Sequence, residues 1–410
     1  MAVRKLSLVN ILDYVWLTLI ILQCYSIYTV KSEPLTLIVP LLITTVTLLL
    51  FNLLRFTLSL NFIHKFIYML GLYFTAIVTF FLTNIGANVT ILNITKYFIL
   101  FPLFFLINSM YMNRKILPAL LSKFVNVVVI LAMFSLFFWI FGTLLNVVHP
   151  TSTVINQWSG GRLINSYYNL YFETQQMTFF GIHIIRNSGI FAESPIWGLI
   201  LSIAYVIDLL ILKSDKNNKR NIIILTMLST ISTAGISIIG LAILYKIATN
   251  RHKAKLLLFP VTVGLGFSLL LLLTEKSETV SANLRVDDYN IGFIVWKTSL
   301  WIGHGLNNGI LAIQSHIPTF IRGVGYSNTL FVILAQGGLF LFLIYFSPMI
   351  LLLFKKKINF DFKFAIILFL ILVTTIIFEG TYLFFWILAL SYSYLFFMIL
   401  DKNSIQNRQL

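Results

Sequence analysis

One cysteine, thirteen acidic residues and a charged fraction of only 10% set the first limits on this 410-residue chain. With Cys24 alone there is no disulfide framework and no cysteine metal site. The chain has no H-E-x-x-H, no Cys/His cluster and no D-x-D of the kind that holds a metal-bound nucleotide sugar. No metal site is therefore expected, and no cofactor is called for. The loops expected on the basic side are too short for a nucleotide-binding fold or a Walker A loop, which excludes a pump driven by its own ATPase. Internal repeats and low-complexity tracts are absent too, and the apolar runs show no period-2 alternation, which argues against a barrel.

What is present is hydrophobicity. Hydrophobic residues make up 59% of the chain and the mean hydropathy is +0.93. Soluble domains run nearer about a quarter charged. Apolar runs of roughly 18 to 25 residues recur throughout, each able to cross hydrocarbon as a helix that satisfies its own backbone. The expectation is an all-α, polytopic membrane protein forming a single integral membrane unit of about twelve spans. Those spans fall near 11–30, 35–54, 62–82, 91–108, 120–145, 190–212, 221–232, 234–248, 256–274, 326–353, 364–378 and 381–400. The start "MAVRKLSLVN" runs straight into the first span and reads as a retained signal anchor.

The net charge of +16 reflects topology rather than nucleic-acid binding. If Arg4 and Lys5 are cytoplasmic, most of the 29 Lys and Arg collect on that side, in "KSDKNNKR" at 213–220, "NRHKAK" at 250–255 and "KKK" at 355–357. Both termini are then cytoplasmic. Two large loops, 146–189 and 275–325, face outward. The first contains "NQWSGGRLINSYYNLYFETQQ"; the second contains "NLRVDDYNIGFIVWKTSLWIGHGLNNG", patterned like an amphipathic interfacial helix. Neither has the composition of a linker, so chemistry belongs on these loops and the helix ends that carry them.

Four outer arginines stand out: Arg162 and Arg186 in the first loop, Arg285 and Arg322 in the second. The arginine fork suits phosphate oxygens, although surface pairing, as of Arg285 with Asp287 or Asp288, accounts for any one of them equally well. "RNSGIFAESPIWG" (186–198) puts Glu193 at the membrane interface, where desolvation would raise its pKa toward the range of a general base; a helix-start acid is the plainer alternative. "WIGHG" sets His304 between Gly303 and Gly305, as an exposed proton carrier or as part of an ordinary turn. His183 and His316 carry no pattern and read as structural. "VGYSNTLFVILAQGG" (324–338) opens an apolar helix with Ser327 and Asn328, which can cap its N-terminus and present free N–H groups to an anion.

The order of "RNSGIFAE", a long loop, "NLRVDDYNIGFIVWKTSLWIGHG" and "YSNTLFVILAQGGLFLFLIY" resembles the bacterial O-antigen and capsular polysaccharide polymerases and their relatives, the O-antigen ligases, over residues 186 to 345. The resemblance implies a metal-independent glycosyltransferase at the outer face of the bacterial cytoplasmic membrane. It would act on oligosaccharide repeat units carried by undecaprenyl pyrophosphate, in contact with membrane lipid and with a chain-length regulator as a candidate partner. In that pattern Arg186 and Arg285 hold the pyrophosphate leaving group. Gly303, Gly305, Ser327 and Asn328 contribute to substrate binding, and Arg162 and Arg322, which match the pattern less well, are substrate-binding candidates from their place in the two outer loops. The departure is Ser327, where relatives often carry His. A serine hydroxyl is no base near neutral pH, which leaves Glu193 and His304 as candidate bases. A ligase-type transferase and a lipid-linked oligosaccharide flippase are the alternatives.

Reporter fusions test the topology: those after Asn156 and Asn290 should read external, and those after Asn217 and Lys356 cytoplasmic. Inversion at either long loop would remove the functional scheme.

Overall fold

The computed structural model describes residues 8–31, 35–84, 89–179, 181–214, 217–249, 280–317, 326 and 328–406. The apolar runs become helices: α1 (Leu8–Leu22), α2 (Ile27–Lys31), α3 (Leu35–Arg55), α4 (Leu60–Thr83), α5 (Ile91–Asn113), α6 (Leu117–Leu144) and α7 (Ser194–Leu212). They continue as α8 (Asn217–Thr230), α9 (Thr233–Thr249), α10 (Val280–Thr298), α11 (Leu306–His316), α12 (Thr329–Phe354), α13 (Phe360–Thr375) and α14 (Tyr382–Gln406). Seven helices among the described residues are long and apolar enough to cross a membrane: α3 to α7, α12 and α14. This is a mostly helical, polytopic membrane protein. The span expected near 256–274 lies outside the described residues.

α7 is the central element, with 83% of its apolar stretch buried against 22% for α4. Where lipid tails are as apolar as leucine, helices associate through packing and polar bonds rather than by escaping water. An aromatic cluster supplies both. Trp16 of α1 meets Phe104 of α5 (5.5 Å between ring centres) and Trp386 of α14 (6.5 Å), while its Nε1 donates to Thr45 Oγ1 of α3 (2.9 Å).

Two spans depart from the continuous helices expected of them. The first, expected over 11–30, is broken at residues 23–26, where Tyr25 has φ 52°. The freed backbone pairs with the segment before α7: Ile27 N–H donates to Ile190 O (2.9 Å) and Ala192 N–H to Tyr25 O (3.0 Å). That extended pairing also delays the sixth span, which begins at Ser194 rather than near 190.

The second break is inside α12 at Gly338 (φ 57°, ψ −156°). The turn between α10 and α11 fills it. Leu339 and Phe340 N–H donate to Leu300 and Trp301 O (both 2.9 Å), while His304 and Gly305 N–H donate to Ala335 and Gln336 O (both 2.8 Å). Irregular backbone at membrane depth persists only where protein satisfies it in this way. A Cβ on Gly303 would lie 2.4 Å from Gly337 N, so the G-x-G allows backbone to meet backbone.

The all-α expectation is corrected in the first large loop, which folds into β1 (Ser152–Asn156), β2 (Arg162–Tyr167) and β3 (Tyr171–Phe172) as an antiparallel sheet in sequence order. A hairpin of β4 (Gln176–Phe179) and β5 (Ile182–Ile185) follows it. The sequence alternates where it must: Val154 and Ile164 face inward as a cross-strand pair. In the second loop the expected amphipathic helix is α10, followed by α11.

Gly303→Ala should cost about 2–4 kcal/mol, from a backbone clash added to a positive φ. Gly71→Ala on α4, where a Cβ meets nothing within 4 Å, should be neutral or slightly stabilising. Thermal unfolding in detergent compares the two. Equal melting temperatures would dissolve the interlock.

Candidate functional site

The β1–β2 turn carries Trp158. Asn156 Oδ1 accepts from Trp158 N–H (3.1 Å), and Gly160 and Gly161 take the left-handed backbone (φ 71° and 81°) that reverses the strand. The turn lays Trp158 against Tyr25, with ring centres 4.8 Å apart, at the break between α1 and α2. Its Nε1 donates to Glu193 Oε1 (2.7 Å) at the start of α7. Burial raises the Glu193 pKa, with the Trp158 hydrogen bond and the Arg186 charge partly opposing it.

Tyr25 and Trp158 form one wall of a cavity of about 570 Å³. α11 gives another wall through Gln314 and Ser315, Tyr326 contributes beside them, and the turn between α13 and α14 brings Glu379. Glu379 is only 8% exposed. Burial raises its pKa and the nearby Lys96 ammonium opposes that. Its Oε2 accepts no hydrogen bond among the described residues, while Oε1 lies 3.5 Å from Gln336 Nε2. Lys96 sits in a π-helical turn of α5 (Thr95–Leu100), the wider geometry often found at functional sites, and donates to Gly380 O (2.6 Å).

α12 holds this turn in place. Thr329 Oγ1 donates to Ile376 O (2.7 Å) and accepts from Phe378 N–H (2.8 Å). Asn328 caps its own helix by accepting from Phe331 N–H (3.2 Å), as expected of an N-cap. The polar start of α12 and its Gln336 thus secure and approach Glu379.

The structure brings some of the expected residues together and leaves others apart. Glu193 reaches the cavity through Trp158. Arg186, 8% exposed, donates to the carbonyls of Thr230 (2.8 Å) and Ile231 (3.2 Å) at the end of α8 and to Gln175 Oε1 (3.1 Å), and is not among the cavity-lining residues. His304 donates from Nε2 to Val295 O (3.2 Å) and lies 2.9 Å from Thr298 Oγ1, in a local turn. Gly303 and Gly305 meet α12 rather than a ligand. Arg162 is exposed on β2 and donates to Gln176 Oε1 (3.2 Å). Arg285 enters only as a position on α10; Arg322 and Ser327 lie outside the described residues.

Comparison with protein-family models, curated proteins and solved structures finds no match for this chain. The site therefore stands on its own geometry. Tyr25, Lys96, Gln336 and Glu379 were not singled out by sequence as site residues. Lys96 and Gln336 did carry a signal, as polar residues inside apolar runs. Groups of three or more His, Cys, Asp or Glu able to hold a metal do not occur among the described residues.

Arg186→Ala should cost about 2–4 kcal/mol by removing buried charge-assisted bonds to carbonyls. Lysine should recover only part of this, because an ammonium cannot reproduce the fork. Unfolding midpoints of both variants measure it. Wild-type stability in Arg186→Ala, with activity lost, would restore a direct ligand role.

Proposed function

We propose that this protein is a glycosyltransferase that joins oligosaccharide repeat units carried on undecaprenyl pyrophosphate, at the outer face of the bacterial cytoplasmic membrane. The twelve-span topology with cytoplasmic termini belongs to the same reading. The observation that carries it is Glu379: a buried carboxylate beside a cavity walled by Tyr25, Trp158 and Tyr326. Flat aromatic faces suit the apolar C–H faces of sugar rings, and a few convergent polar groups fix orientation.

Glycosyl transfer to a sugar hydroxyl needs a base for the hydroxyl proton and stabilisation for the departing pyrophosphate. Burial makes the Glu379 carboxylate a stronger base, while Lys96 keeps an ionised form accessible. Glu379 is the favoured base in this scheme ahead of the two sequence candidates, Glu193 and His304; His304 is engaged in its own turn. Glu193 is separated from the cavity by Trp158, which gives it a positioning role. Pyrophosphate stabilisation falls to the arginines of the second loop, Arg285 and Arg322. No metal is required by this chemistry.

A second reading, a transporter of lipid-linked oligosaccharide, is favoured by one observation. Two discontinuous helices, α1 with α2 and α12, adjoin a half-buried Lys96 and a buried Glu379, a combination suited to alternating access.

Deleting the gene separates the two. Loss of the transferase should leave single repeat units on their carrier at the cell surface, whereas loss of the transporter should leave none outside. In a complemented strain, Glu379→Gln should slow polymer formation by about 10²–10⁴-fold, the usual range for general-base loss, with membrane expression retained. Near-normal polymer lengths from Glu379→Gln would remove this base assignment.

A further inference from the structure

The end of the bundle opposite this cavity holds a second opening. Between α7, α12, α13 and α14 runs a narrow slot of about 100 Å³, lined by Ile207, Met349, Ile366, Phe369, Ile387 and Leu390 among others. Ser391 lies on it too, but its hydroxyl donates to the Ile387 and Leu388 carbonyls. At Ile211, Phe362 and Tyr394 the slot meets a wider mouth of about 590 Å³, bounded by Lys357, Asn359 and Phe397. The Phe362 and Tyr394 rings, 4.3 Å apart, mark the junction.

Charge at this end is one-sided. Asp361 pairs with Lys213 (2.6 Å), Asp208 with Arg220 (3.0 Å) and Asp13 with Lys123 (2.5 Å). Lys356 and Lys357 are exposed, and no described carboxylate pairs with either. An apolar slot between membrane helices, opening on unneutralised ammonium groups, matches a molecule with a hydrocarbon tail and an anionic head. A free phosphate would gain nothing from the slot, and a protein segment would have to bury its own backbone there unsatisfied.

We propose that this site binds an anionic phospholipid, with a few methylenes of one acyl chain in the slot, the remainder of the tails in the mouth and the bilayer, and its phosphate at Lys357. The assignment is independent of the reaction at the opposite end. A polybasic segment beside the bilayer attracts anionic headgroups, and one lysine at the surface changes binding by about fivefold.

The test uses the full chain, delipidated in neutral detergent and titrated with phosphatidylglycerol or with phosphatidylcholine of identical tails, read by native mass spectrometry. One phosphatidylglycerol per chain should be retained, at least about fivefold more tightly than phosphatidylcholine. Lys356→Gln combined with Lys357→Gln, both on the surface, should abolish that preference while leaving the melting profile unchanged. A phosphatidylglycerol with a photoreactive diazirine on its tail should cross-link to the slot, at Ile366, Phe369 or Leu390. Equal retention of the two lipids, a preference that survives in the double variant, or cross-links confined to other helices would each overturn the proposal.

Discussion

A backbone amide without a partner is costly in hydrocarbon, and this chain opens two of its apolar runs in spite of that cost. Each opening is closed by a segment far away in sequence. Residues 190–192 pair with the break after α1, and residues 300–305 pair with the break in α12. The rest of the site follows from these two closures. The first turns Tyr25 toward the cavity and draws the start of α7, with Glu193, beside it. The second fixes α11 against α12 so closely that Gly309 would place a Cβ 2.7 Å from the backbone of Ala335 and Gln336. Without that approach α11 could not wall the cavity opposite Glu379.

The buried charges obey a related constraint. An isolated ion in a low-dielectric interior is expensive, and a pair offsets the cost only with good geometry and further hydrogen bonds. At the basic end the rule is met by direct contact: Asp13 accepts from Lys123 and from Tyr111 (2.6 Å). At the cavity it is met indirectly. Lys96 donates to the Gly380 carbonyl, one residue from Glu379, rather than to the carboxylate itself. The two charges influence each other without closing a contact. A carboxylate left with an unpartnered oxygen can still exchange a proton, which a fully engaged one such as Asp13 cannot do readily.

Much of the helical frame was legible because hydropathy alone specifies it: the expected spans among the described residues fall in helical stretches, seven of them long and apolar enough to cross a membrane. The breaks were not. "QCYS" at 23–26 interrupts no apolar run, and its opening depends on a partner strand more than 160 positions away. The strands of the first loop were hidden for a similar reason: "NQWSGGRLINSY" reads as a turn followed by a short alternation, and only the pairing makes it a sheet. The glycines of "WIGHG" signalled close backbone approach correctly, but sequence could not tell a ligand from the backbone of α12. Arg186 shows the limit most plainly, since an arginine beside a helix start fits phosphate recognition and carbonyl capping equally well until its partners are seen.

Glu193 and Glu379 then illustrate how two carboxylates near one cavity acquire different tasks from their surroundings. Both have pKa values raised by burial. Glu193 already accepts from the indole of Trp158, so its proton affinity is tied to the placement of the β1–β2 turn and the aromatic wall. Glu379 has a long contact to Gln336, its own and the Gly380 backbone N–H close by, and an Oε2 with no hydrogen-bond partner among the described residues. A protonation change at Glu193 would therefore first disturb the seat of Trp158, whereas one at Glu379 alters the charge that the cavity presents.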